Sequence, residues 1–179
     1  MTEKAPPTRR KFSGIWDQIN YLYDKTLYWS WGQGNWRKAQ RFADRLKRLV
    51  VKADPKGEAL LGVSSRALAA EVDGDLRKAI RFRQREIKMM RRLTQPDVPQ
   101  FARLSLDEVS SGLDRLAIHY WDLGDLPKAL QTLEESRRYC AEHGLPFDGQ
   151  DVVDEIRSEM QAPPPRNGAV SQRRGKRSY

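Results

Sequence analysis

Gly74-Asp75-Leu76-Arg77-Lys78-Ala79 decides the fold, because the chain carries it three times. Gly34-Asn35-Trp36-Arg37-Lys38-Ala39 stands 40 residues earlier, and Gly124-Asp125-Leu126-Pro127-Lys128-Ala129 stands 50 residues later. A Gly-Asp/Asn-x-x-Lys-Ala recurring at such intervals marks a helical repeat array. Each part has a physical use. The glycine takes the positive φ that ends one helix. The Asp or Asn beside it offers an oxygen that caps the next. The alanine leaves room for a neighbouring helix. One such cassette is an elbow in a helix pair, and three elbows make a short stack of pairs.

Working outward, apolar periodicity predicts seven helices. The first spans 14–32 with Ser13 as its cap, and the second 36–53 with Ala39, Ala43, Leu46 and Val50 inward. Asp54-Pro55 ends the second and opens a third at 56–72, since proline suits a first helical turn. The fourth spans 76–94. Pro96 and Pro99 break the pattern, and 95–104 is a surface loop that explains the longer second interval. Ser105-Leu106-Asp107-Glu108 reads as a capping box for the fifth helix, 106–123. The sixth, with Pro127 in its first turn, ends near His143-Gly144. A short seventh, 150–160, covers the open end. The expected fold is all-α: a short right-handed α-solenoid of three hairpins plus a C-terminal capping helix over residues 13–161. Residues 1–12 read as a disordered basic arm and 162–179 as a disordered basic tail.

Composition narrows the function classes. No apolar run approaches the ~20 residues of a transmembrane helix, and the N-terminal stretch lacks the apolar core of a signal peptide. A single cysteine, Cys140, suits a reducing, cytoplasmic setting. Two histidines and one cysteine make a His/Cys metal cage improbable. His119 reads as a structural histidine within a packed helix. No catalytic constellation and no cofactor motif is present, so the expectation is a non-enzymatic chain without a cofactor.

Charge is segregated. The formal net charge is +9, of which residues 12–161 carry only +1. Within them, residues 75–94 carry +6 and residues 105–161 carry −8. The basic side chains follow a register. Arg37, Arg41, Arg45, Arg48 and Lys52 share one helix face, opposite the apolar one. Arg77, Arg81, Arg85, Lys88 and Arg92 repeat those five positions; in the third repeat they become Pro127, Gln131, Glu135, Arg138 and Glu142. A solvated face is the bland reading. Yet like charges at i,i+4 cost about 0.2–0.5 kcal/mol a pair, and two registered rows exceed what solubility needs. Such a surface suits an acidic protein segment, a phosphate backbone, an anionic membrane surface or the acidic third repeat of another copy. The tail run Arg173-Arg174-Gly175-Lys176-Arg177 keeps RNA or DNA open as the alternative ligand.

The spacing of Leu113, Leu116, Ala117, Tyr120, Gly124, Asp125, Lys128, Ala129, Leu130 and Leu133 resembles the tetratricopeptide repeat. The second repeat keeps Ala67, Gly74, Asp75, Ala79 and Ile80, and the first keeps Gly34, Asn35 and Ala39. The resemblance covers about 14–144. It implies a scaffold or adaptor that binds a peptide or protein on the surface lined by the first helix of each hairpin. One subclass of that family grips a C-terminal carboxylate; of the corresponding positions here, Asp24, Tyr28, Ser65, Ser111 and Arg115, only Arg115 matches. The aromatics of the first hairpin, Tyr21, Tyr28, Trp29 and Trp31, are candidates to line such a groove; the plainer reading is that an end helix packs with large rings.

Overall fold

A computed structural model describes residues 12–162. The expected arm and tail lie outside them, apart from Phe12 and Ala162. The described residues are all-helical, with seven α-helices: α1 Ile15–Leu27, α2 Trp36–Ala53, α3 Leu60–Asp73, α4 Leu76–Leu93, α5 Asp107–Asp122, α6 Leu126–His143 and α7 Gln150–Gln161. Each helix packs on the next in sequence, and α1 also touches α3. Neighbours run antiparallel: Ile19 and Leu22 of α1 meet Leu46 and Val50 near the far end of α2. Ala117 and Trp121 late in α5 likewise meet Ala129 and Leu133 early in α6.

The three cassettes act as their residue types dictate. Asn35, Asp75 and Asp125 are N-caps with nearly superimposable backbone angles, φ −92, −84 and −86°. Their side-chain oxygens accept from the N–H of Lys38, Lys78 and Lys128 at 3.0, 3.0 and 3.3 Å. Gly74 and Gly124 both close the preceding helix at φ 84°. Ala39, Ala79 and Ala129 are completely buried. A larger residue at any of them would push two helices apart.

The first elbow carries one extra residue. Asp75 and Asp125 donate their N–H to the carbonyls of Ala70 and Tyr120, five residues back, whereas Asn35 reaches six back to Trp29 O at 2.7 Å. The surplus is taken up by a π-helical turn over Tyr28–Gly32. Thr26 Oγ1 and Ser30 Oγ, both buried, donate to the carbonyls of Leu22 and Thr26 at 2.7 and 2.8 Å. The expected single helix over 14–32 is therefore an α-helix that loosens at its end.

Three local expectations are corrected. The third helix starts at Leu60, not at 56. Gly57 takes φ 70°, and the Asp54 carboxylate gathers the turn by accepting from Glu58 N–H at 2.8 Å, Ala59 N–H at 3.3 Å and Arg66 Nη1 at 3.1 Å. A Cβ on Gly62 would collide with that carboxylate, so glycine lets α3 pass close to the hub. Burial pushes the Asp54 carboxyl up, but its backbone and Arg66 hydrogen bonds outweigh this and hold it below its ordinary value. At 105–108 the reciprocal capping box does not form; Ser105 Oγ meets the Asp107 carboxylate instead. At the first helix the roles are reversed: Ser13 N donates to Asp17 Oδ2 at 3.2 Å.

Candidate functional surfaces

All ten row residues are exposed: Arg37, Arg41, Arg45, Arg48 and Lys52 on α2, and Arg77, Arg81, Arg85, Lys88 and Arg92 on α4. Helical period places them opposite the buried stripes Ala39, Ala43, Leu46 and Val50 of α2 and Ala79, Ile87 and Met90 of α4. Arg92 forks onto Asp97 of the following loop at 2.9 and 2.8 Å. Among the described residues, no other row member forms an ion pair. Several cations off the rows are engaged. Lys47 bridges Asp44 and Asp73, Arg66 holds Asp54, Arg91 meets Glu135, and Arg137 and Arg157 share Glu134. Arg85 Nη1 lies 3.5 Å from where a Cβ on Gly57 would sit, so the second row borders the α2–α3 turn.

On the other side, the first helices of the pairs frame a cavity of about 570 Å³. Asp24 and Tyr23 of α1, Ser64 of α3, and Ser111 and Arg115 of α5 line it, with Glu86 and Met90 of α4 beneath. Asp24, Ser111 and Arg115, taken from the carboxylate-gripping comparison, thus share one wall space. Ser65 is buried and Tyr28 is exposed. Asp24, Glu86, Asp107 and Glu108 against Arg115 give this side a negative balance.

The four candidate aromatics are placed elsewhere; the ring lining the cavity is that of Tyr23. Trp29 and Trp31 are half-buried against the core of Ala39, Ala43 and Leu68. Trp31 stacks edgewise on Trp36 at 6.4 Å, and the Lys38 ammonium sits 3.3 Å over the Trp29 ring. Tyr21 packs edgewise on Phe12 at 5.4 Å, and Tyr28 stands half-exposed beside Trp29.

Sequence reasoning missed the group beneath the cavity. Arg83, in the middle of the basic run, is only 1 % exposed. It pairs with Glu86 one turn on, and its Nη2 lies 3.8 Å from Glu71 Oε2 of α3. His119 of α5, also buried, places Nε2 3.1 Å from the same Glu71 oxygen. Burial works against the Arg83 charge, but Glu86 and Glu71 outweigh it and raise its pKa above the ordinary value. Helices α3 and α4 are thereby tied together by a buried ionic cluster, with the buried His119 ring of α5 against it. Glu159 of α7 accepts from Trp121 Nε1 at 2.8 Å and fastens α7 to α5.

No family model, curated protein or solved structure matches this chain. Among the described residues, no helix is long and apolar enough to cross a membrane, and no group of His, Cys, Asp and Glu is placed to hold a metal ion.

Proposed function

We propose that this chain is a non-enzymatic interaction scaffold, a short right-handed α-solenoid of three tetratricopeptide-like hairpins with α7 covering the last, that binds an acidic protein partner through its basic face. One observation carries the reading: among the described residues, nine of the ten row cations form no ion pair and stand in two registered, exposed rows, while off the rows Lys47, Arg66, Arg91, Lys128, Arg137 and Arg157 are paired. An unpaired registered array keeps its field for something outside the molecule. The near-identical cassettes support the repeat reading, and the buried thiol of Cys140 suits a cytoplasmic setting.

Nucleic acid is the second reading, favoured by the same unpaired cations. Glu135 and Glu142, at the corresponding positions of α6, oppose a phosphate backbone laid across all three hairpins. The test is capture from a nuclease-treated lysate by the full chain and by Arg41→Gln/Arg45→Gln/Arg81→Gln/Arg85→Gln, with helicity checked by circular dichroism. The expected result is a protein partner retained after nuclease and lost with the four substitutions. Retention by the variant makes the rows a solvated surface; loss on nuclease treatment alone moves the assignment to nucleic acid. Head-to-tail association of the basic face with the acidic third hairpin would appear as a salt-sensitive, concentration-dependent mass.

A further inference from the structure

Between α4 and α6 runs a trough that the basic rows do not explain. Its first part holds about 400 Å³, within the range of ligand pockets. The floor is apolar and comes from buried Ile87, Leu113 and Leu116 with the Tyr120 ring beside them. Lys88 rises on the α4 rim and Lys128 on the α6 rim. A second part of about 330 Å³ continues it toward Tyr139 and His143; Arg91 and Glu135 line both parts.

The charges here are uneven. Glu135 is consumed by Arg91 at 2.5 Å. Lys128 shares Asp125 at 2.9 Å and lies 5.6 Å from the Tyr120 ring centroid. Lys88 has no ion-pair partner among the described residues, and it belongs to both the second basic row and the rim. The trough is therefore the place where one unpaired row cation, Lys88, adjoins an apolar floor. A phosphate backbone has no group to set on Ile87, Leu113 and Leu116. A protein segment has: an aliphatic side chain fills the floor while flanking carboxylates meet Lys88 and Lys128.

We infer that this trough is the anchor point of the partner, taking an acidic segment with one apolar side chain inserted between α4 and α6. The inference rests on the basic-face reading and adds where specificity resides. Cations attract any acidic chain, but an apolar floor between two helices selects by shape.

Fluorescence anisotropy tests it with a labelled synthetic peptide of Glu and Ser carrying one central Leu. On the unaltered protein, replacing that Leu with Ser is expected to weaken binding about tenfold. Gln131→Trp, which fills the slot from the exposed face of α6, is expected to weaken the Leu peptide similarly and leave the Ser peptide unchanged. Equal binding of the two peptides overturns the inference without needing any variant to fold. If the four-arginine variant weakens both peptides while Leu→Ser and Gln131→Trp do nothing, the basic-face reading stands and the trough has no role. If none of these changes matters, both fail. A single-stranded oligonucleotide that outcompetes the Leu peptide and is displaced by Gln131→Trp also overturns it.

Discussion

Arg81 and Arg83 stand two residues apart in one basic run, yet replacing them should have opposite consequences. Arg81 is exposed and unpaired, whereas Arg83 is buried between Glu86 and Glu71. Arg83→Met keeps a long side chain of good helix propensity but leaves the buried Glu86 carboxylate without its cation. Removing one partner of a buried pair costs about 3–5 kcal/mol. For a domain of this size each kcal/mol shifts Tm by about 2–4 °C, so a fall of about 6–20 °C is expected. Arg81→Met should stay within about 0.5 kcal/mol of the unaltered chain. Adding Glu86→Leu to Arg83→Met removes one stranded carboxylate and should restore part of the loss, a non-additivity that a double-mutant cycle reads directly. Thermal and urea unfolding at pH 7 of five proteins, the unaltered chain, Arg81→Met, Arg83→Met, Glu86→Leu and the double variant, supply the numbers. If Arg83→Met unfolds within about 2 °C of Arg81→Met, or if the Arg83 and Glu86 changes simply add, the buried cluster contributes nothing specific.

Asp75→Ala should cost about 1 kcal/mol through loss of the cap on Lys78 N–H, with Asn35→Ala and Asp125→Ala costing similar amounts because the three caps share one geometry. Urea midpoints check this; no shift for any of the three would mean the elbows are held by packing alone. Burial holds the Asp114 carboxyl above its ordinary value, reinforced by nearby Asp148 and opposed by Ser136. An acid raised in the folded state keeps its proton longer there than in the unfolded chain, so stability falls as pH rises through the folded value. Asp114→Asn should therefore raise the urea midpoint at pH 7, by an amount that shrinks as pH falls and vanishes below about 4, where both states are protonated. A gain that grows toward acid pH would refute the assignment.

The elbows were legible in the sequence because each depends on neighbours. Asp75 caps Lys78 three residues on, so three copies of the pattern give three copies of the cap, although the first elbow holds one more residue than the other two. The turn at 54–59 was not legible in that way, since its hub requires Arg66, twelve residues on, to hold Asp54. Local rules saw Asp-Pro and started a helix too early. The aromatic candidates lie away from the cavity because Trp29 and Trp31, carried on the π-helical turn, pack against Ala39, Ala43 and Leu68.

Arg83 shows how far a charge run can mislead. At 100° per residue it falls among Ala79, Ile87 and Met90, well away from Arg77, Arg81, Arg85, Lys88 and Arg92. Its inward direction was therefore written in the chain. What the chain did not show was that Glu71 on α3 and His119 on α5 would be brought to the same interior point. A polar residue at a core angle predicts a partner without naming it, because the partner comes from stacking. The outward rows are the converse case. Their direction is equally plain, and within the described residues stacking supplies nine of them with no acid. The same periodicity that sends one arginine inward to meet its own carboxylates thus leaves its neighbours facing outward, where solvent ions or the proposed partner meet their charge.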